Sequence, residues 1–363
     1  MKISILGAGL AGLSSAIKLS ENGHNVSVYE QFSEVGKSQG NDSQAIRNYD
    51  LENDQLKIWK NSGLNIRYAK PITKIVKYAP SGKSMEVFSN NGPLFYSLKR
   101  GNSKKSLDQQ LYQLAEKNDV KIEFNTKKVL NEVDIIANGG IFRNIWAYGF
   151  VYKDVKVDPK TILFFMDNKY APQGYVYFLP YGKNEVSIAI TSFDFNAPLP
   201  LLLAKFVKEN QLVESIVGIG TLVNKFAGKA YFNLPNTAEI AGKKFVGGAA
   251  GFTEPARGFG VKLALDSALL VAESINNNKN YDSLWKKAFE KELFKNFKRR
   301  LVLEKMSNDD YEQLILAEKL PITKYEKIPK SIKAVILGVK ADVALAEWQK
   351  KYDLKKLFIQ NKS

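Results

Sequence analysis

Ile3-Ser4-Ile5-Leu6-Gly7-Ala8-Gly9-Leu10-Ala11-Gly12 is the stretch that decides the fold of this chain. Its first four residues read as a buried strand. The glycines follow at once, and Leu13–Ser20 reads as a helix. Val26-Ser27-Val28-Tyr29 is a second strand that ends on Glu30. The order is that of a βαβ unit with G-x-G-x-x-G at its first turn and an acid after its second strand. Gly7 permits the tight turn, Gly9 lets a pyrophosphate approach the backbone, and Gly12 lets helix and strand pack closely. The helix N-terminus offers free N–H groups and the positive end of its dipole to phosphates. Glu30 can accept hydrogen bonds from a pair of ribose hydroxyls. A lone glycine pattern is weak evidence; strand, glycines, helix, second strand and acid in this order point to a dinucleotide. The acid argues against a 2′-phosphate, so FAD or NAD is favoured over NADP, and the motif does not choose between those two.

The rest of the composition narrows the chemistry. The chain has 363 residues, long enough for two or more structural units, and 45% of them are hydrophobic. It has no cysteine, which excludes disulfides, thiolate metal sites and a cysteine nucleophile. His24, the one histidine, lies in the turn Glu21-Asn22-Gly23-His24-Asn25 and reads as a surface residue, so neither a metal centre nor Ser-His chemistry is expected. Met1 leads straight into the first strand, so the apolar N-terminus is not read as a signal peptide. The longest apolar runs fall short of the ~18 residues a membrane span needs. A net charge of +16 suits an anionic membrane surface or an acidic protein partner. With no nucleic-acid motif, nucleic acid is not expected as a partner.

Along the chain, Gln31–Asn61 is polar and reads as a loop that can run beside an extended cofactor. Ile66–Ala79, Met85–Ser89 and Pro93–Lys99 read as strands joined by Pro80-Ser81-Gly82 and Asn90-Asn91-Gly92. Ser106–Lys117 is an amphipathic helix, and Val120–Phe124 and Val133–Ala137 are strands, the latter closed by Asn138-Gly139-Gly140. Phe150–Phe165 and Gly174–Phe193 are aromatic and β-branched and continue the inserted sheet. Pro198–Asn210 becomes helical, Lys244–Gly248 returns to a strand, and Val261–Ile275 is a long helix. Everything after Asn280 reads as helical and basic. The Lys291–Arg300 run reads as a solvated face, with contact to a membrane surface or an acidic partner as the alternative.

A second signature lies in Phe245–Val261, where strand, glycine-rich turn and helix start give a second helix N-terminus aimed at the same cofactor. Two distant nucleotide loops favour FAD. Here the chain resembles the geranylgeranyl reductase family, FAD flavoproteins of the p-hydroxybenzoate hydroxylase-type fold. The family motif close to G-D-A-A-G-x-x-x-P-x-x-G-x-G-I is met by Gly247, Ala249, Ala250, Gly251, Pro255, Gly258 and Gly260, with Val261 for the Ile. Ala264 and Ser267 match the residues that follow. Tyr175-Val176-Tyr177-Phe178-Leu179-Pro180 resembles the more specific Y-x-W-x-F-P motif. Arg100, Leu107-Asp108 and Leu111 resemble R…F-D-x-x-L, and Tyr281–Lys287 resembles the start of the family's C-terminal helical region.

The resemblance implies an α/β fold: a Rossmann-type FAD-binding domain, an inserted mainly antiparallel sheet that binds substrate, and a C-terminal helical region. The expected division is 1–62, 98–140 and 241–280 for FAD, 63–97 and 141–240 for substrate, and 281–363 for the helices. The resemblance implies that Gly7, Gly9, Ala11, Gly12, Glu30, Arg100, Gly248, Gly258, Gly260 and Val261 bind the cofactor. Tyr175, Tyr177 and Pro180 would line a substrate tunnel, although two tyrosines on one strand face are also ordinary core. Arg257 reads as a surface charge or as part of the flavin loop. The implied activity is reduction of double bonds in a geranylgeranyl chain in archaeal-type membrane lipid biosynthesis. The electron donor would be a ferredoxin or a reduced nicotinamide. The implied location is cytoplasmic, peripheral at the inner face of the membrane. Three positions depart from the family. Gly248 stands where an Asp binds the ribityl hydroxyls, a loss of roughly 1.5–3 kcal/mol and about tenfold or more in affinity. The family's cysteine has no counterpart, and Tyr177 replaces the Trp. No catalytic residue is assigned. A lycopene-cyclase-like non-redox flavoprotein and a degenerate FAD- or lipid-binding paralogue are the alternative readings, with a flavin hydroxylase behind them.

Overall fold

The computed structural model describes residues 1–48, 53–140, 142–317 and 332–360. The helical reading of 318–331 and 361–363 and the loop reading of 49–52 lie outside the described residues. The opening βαβ unit is β1 (Lys2–Leu6), α1 (Leu10–Ser20) and β2 (Asn25–Tyr29). The helix starts earlier than the sequence suggests, because Gly9 is its cap and the Leu13 N–H already donates to the Gly9 carbonyl at 2.9 Å. α1 is buried from Leu10 to Ile17, lying between the sheet and two other helices. Ile5, Leu13 and Ile17 are fully shielded from solvent. Each such side chain contributes about 1.5–3 kcal/mol.

The supposed loop after Glu30 holds two further elements, β3 (Ser43–Arg47) and α2 (Gln55–Asn61). The Asp54 carboxylate caps α2 by accepting from the Leu56 and Lys57 N–H groups. Ile66–Ala79 is not one strand. It breaks at Thr73 into β4 (Lys70–Ile72) and β5 (Lys74–Tyr78), which join different sheets. β6 (Ser84–Phe88), β7 (Phe95–Lys99), α3 (Leu107–Lys117), β8 (Lys121–Glu123) and β9 (Ile135–Ile136) follow. Next come β10 (Ile145–Lys153), β11 (Thr161–Phe165), β12 (Tyr175–Pro180), β13 (Glu185–Ser192), α4 (Leu199–Glu209), α5 (Gln211–Val217) and β14 (Thr221–Ala230). β15 (Glu239–Ile240) and β16 (Lys243–Phe245) lead to α6 (Val261–Asn276). β16 stops before the expected Gly248, because Gly247 turns the chain at φ +54° into a short 3₁₀ segment. The C-terminal helices are α7 (Tyr281–Trp285), α8 (Lys291–Leu303), α9 (Asn308–Ala317), α10 (Ile332–Lys351) and α11 (Leu354–Gln360).

Three sheets are present among the described residues. The first runs β15-β16-β9-β1-β2-β8 and is parallel from β16 to β8. The second runs β14-β10-β13-β12-β11-β5-β6 and is antiparallel at every pair except β11 with β5. The third is β3-β7-β4. This is a Rossmann-type α/β fold with an inserted, mainly antiparallel sheet and a helical C-terminal region. One face of the large sheet is sealed by α4: Val176, Phe178, Ile188 and Ile190 pack with Leu199, Leu203 and Phe206. Because side chains alternate along a strand, Tyr175, Tyr177 and Leu179 stand on the other face. Among the described residues, no helix is long and apolar enough to cross a membrane.

Candidate functional site

Three loops meet at the carboxyl ends of β1, β9 and β16. This is the place where a parallel sheet that reverses its strand order takes ligands, since β2 and β9 leave β1 in opposite directions. Gly7 has φ +100°, and a Cβ there would stand 2.7 Å from the Ala137 carbonyl oxygen. A Cβ on Gly247 would stand 2.8 Å from the Ala11 Cβ, so the first and last loops touch. Gly9 is different: nothing lies within 4 Å of the position its Cβ would take. That open space is where a phosphate can reach the backbone.

The helices that start at these loops share the same beginning. α1 begins at Gly9 and α6 at Gly260, with no side-chain cap and no acid in the first turn. Side chains of Asp54, Ser106, Asn210 and Asn280 cap α2, α3, α5 and α7, and α4, which lies away from the loops, shares the bare start. The first-turn N–H groups of α1 and α6 are thus left for an anion. Glu30 Oε2 accepts the Ala8 N–H at 2.8 Å and Oε1 accepts that of Phe32 at 3.0 Å. Each oxygen keeps a lone pair for a ribose hydroxyl.

The loops open into a cavity of about 1220 Å³. That exceeds the roughly 300–1,000 Å³ of a single-ligand pocket and leaves room for an extended dinucleotide beside a second ligand. Gly7, Gly9, Ala11, Glu30, Arg100, Gly248, Gly258, Gly260 and Val261 all line it, as do Tyr175 and Tyr177. Gly12 does not; it packs inward, where a Cβ would lie 3.3 Å from that of Ala137. Pro180 does not line it either, and this corrects the expectation. It shares the strand face of Val176 and Phe178, and Leu179 takes its place on the cavity wall.

The charged groups are held firmly. Arg100 is buried, and its Nε and Nη2 donate to the two Asp108 oxygens at 2.8 and 3.0 Å while Nη1 donates to Gln44. Burial alone would lower its pKa; the Asp108 carboxylate outweighs that and keeps it charged. Asp42, buried on the cavity wall, has its pKa raised by burial, against the pull of Arg100, the Gln44 hydrogen bond and Lys99. Burial also raises the Tyr175 and Tyr177 hydroxyls above their ordinary value. The Tyr175 hydroxyl donates to the Arg257 carbonyl, which ties β12 to the late glycine loop. The Tyr175 and Phe164 rings lie 4.7 Å apart, and Met85, Ile162 and Leu179 continue this apolar wall. The sequence reading missed Asp42, which carries no local signal, and Gly139-Gly140, whose position after a buried strand was a usable one.

The comparisons agree with this geometry. Residues 5–49 match the NAD(P)-binding Rossmann-like domain. The fold and cradle define a Rossmann-type flavoprotein, and solved structures extend the likeness to the whole chain. A geranylgeranyl bacteriochlorophyll reductase-like protein from Thermoplasma acidophilum aligns with 96% of this chain and 98% of its own, with TM-score 0.73 and 18% identity. The flavin-dependent halogenase CmlS aligns with 95% of this chain and 78% of its own, with TM-score 0.65 and 14% identity. Among curated proteins, the digeranylgeranylglycerophospholipid reductase of Methanocaldococcus jannaschii is 25% identical over 91% of this chain and 94% of its own length. Digeranylgeranylglycerophospholipid reductase 1 of Methanococcoides burtonii is 27% identical over 47% of this chain and 44% of its own. The match spans about half the length of most such relatives. Over most of its length the chain is similar, at low identity, to proteins named digeranylgeranylglycerophospholipid reductase.

Proposed function

We propose that this chain is an FAD-dependent reductase that saturates double bonds in the geranylgeranyl chains of an archaeal-type glycerophospholipid. One observation carries the reading: a single cavity joins two uncapped helix N-termini to an apolar wall of Tyr175, Tyr177 and Leu179. The names of the relatives support the substrate class. The residues fit FAD. Gly9 leaves open backbone, Glu30 offers lone pairs to a ribose, and both helix dipoles point at the same space. When bound, the flavin would supply the hydride for alkene reduction.

The chain's own residues supply the rest. α1 and α6 stabilise negative charge on the cofactor. Tyr175, Tyr177 and Leu179 orient an isoprenoid chain and keep water out. Asp42 keeps a proton on its carboxyl to higher pH than an exposed aspartate, which makes it a proton source on the wall beside Tyr177. We assign residues 1–62, 98–140 and 241–280 to cofactor binding and 63–97 with 141–240 to substrate. The net charge of +16 supports an acidic electron donor such as a ferredoxin, with a reduced nicotinamide as the other candidate, and peripheral contact with an anionic inner membrane face.

The test is the visible spectrum of the purified protein, aerobic and after anaerobic reduction. A flavin band that bleaches and recovers when geranylgeranyl lipid is added is the expected result; bound flavin without recovery removes the reductase reading. Gly248 favours a second reading, a degenerate binder. Under it the protein stays colourless after FAD reconstitution yet still binds prenyl lipid.

A further inference from the structure

Arg300 is a buried cation that the dinucleotide cradle does not explain. It projects from α8 with 1% of its surface exposed and lines the cavity. Its guanidinium sits 3.9 Å from the Phe193 ring centroid. Nη1 reaches the Ala256 carbonyl at a long 3.4 Å. Nε lies 3.2 Å from Glu304 Oε1 but is not aligned for a hydrogen bond, and Nη2 has no hydrogen-bond partner. A buried charged donor left unmatched is costly, so such groups are normally paired.

Arg299 and Arg257 line the same cavity. Arg299 Nη1 donates to Asn296 Oδ1 at 3.0 Å. Burial and the nearby Arg257 and Arg47 lower its pKa, so cations converge there. The neighbouring acids are drawn to other arginines: Glu254 lies 3.7 Å from Arg257, Glu292 lies 3.1 Å from Arg47, and Glu304 belongs to Arg300. Among the described residues, no carboxylate lies within ion-pair distance of Arg299. Tyr175 joins this end to the apolar wall through its bond to the Arg257 carbonyl.

We propose that Arg300 and Arg299 form an anion subsite of the cavity that takes the phosphate group of the lipid substrate, with the prenyl chains running toward Tyr175 and Tyr177. A planar guanidinium with unused N–H groups matches phosphate oxygens in geometry and charge. The assignment rests on the reductase reading for the lipid, while the anion subsite rests on Arg300 and Arg299 themselves. Phosphate could reach it on a headgroup or as a free ion, and the experiment separates the two.

Equilibrium binding to the FAD-loaded full chain is measured by tryptophan fluorescence in detergent. The probes are digeranylgeranylglyceryl phosphate, the same diether without phosphate, and inorganic phosphate. The phosphorylated lipid should bind about tenfold tighter than the neutral diether. Arg300→Gln should bring the two within about twofold by weakening the phosphorylated lipid more than the neutral diether. Arg299→Gln should erode the preference severalfold. Circular dichroism checks folding; if Arg300→Gln does not fold, the partly exposed Arg299 decides. Equal affinity for the two lipids in the parent protein, or an undiminished preference in the variants, overturns the headgroup assignment. So does inorganic phosphate binding with no advantage for the lipid phosphate. If neither lipid binds, the reductase reading fails by itself, and Arg300-dependent binding of inorganic phosphate still supports the anion subsite while its absence overturns it.

Discussion

α1 and α6 begin at the same cavity with the same local device, a glycine at the cap and no side chain on the first N–H groups. Their surroundings differ. At α1 the carboxylate of Glu30 reaches across from the next strand and holds the loop by the Ala8 N–H. At α6 the loop is shaped by glycines with positive φ, at Gly247, Gly251 and Gly258, and Gly248 supplies no carboxylate. The first site is therefore preorganised by a charge-assisted bond and offers that charge to the ligand. The second has backbone and dipole only. Most of the cofactor affinity should reside at the first.

Substitutions in the two loops can break this contrast or sharpen it. The largest effect belongs to Gly12→Ala. Its new methyl would meet the Gly7 backbone and lie 3.3 Å from the Ala137 Cβ. Overpacking of this kind costs about 1–3 kcal/mol. Thermal melting should fall by several degrees, and flavin should be lost on gel filtration. Glu30→Ala should weaken FAD by roughly 10- to 100-fold, the worth of a charge-assisted bond. Fluorescence titration of the apoprotein reads this directly, and an unchanged Kd would remove the asymmetry between the loops. Gly248→Asp runs the other way. The added Cβ would sit 3.4 Å from Gly139 Cα and Gly140 N, ordinary contact, so a side chain can start from this position without backbone strain. FAD should bind roughly tenfold tighter. Gly9→Ala is the smallest change: melting stays unaltered because the space is open, and FAD weakens on the order of fivefold.

Much of this site could be read in the chain, for definable reasons. The βαβ unit and the late loop carry their signal locally, in glycines placed between a strand and a helix. β3 and α2 do not. Ser43–Arg47 becomes a strand because β7 pairs with it, and no period within five residues announces that. Pro180 was misplaced because a motif match was followed where the strand pleat should have decided; counting by two from Tyr175 leads to Leu179. Arg300 was hidden in a basic run read as solvated. Yet Leu293, Asn296, Phe297 and Arg300 are the buried residues of α8, and their spacing is helical. The period placed Arg300 on the packed face all along.

The contact between Ala11 and Gly247 has a consequence for how the protein comes into being. The cradle is closed by residues from near the start of the chain and from well past its middle. A nascent chain that has released only the first βαβ unit holds half a binding site. Long-range closure of this kind comes late in folding. The cofactor can therefore act as a clasp that fastens a finished molecule, and flavin uptake becomes a clock for the last step of its assembly.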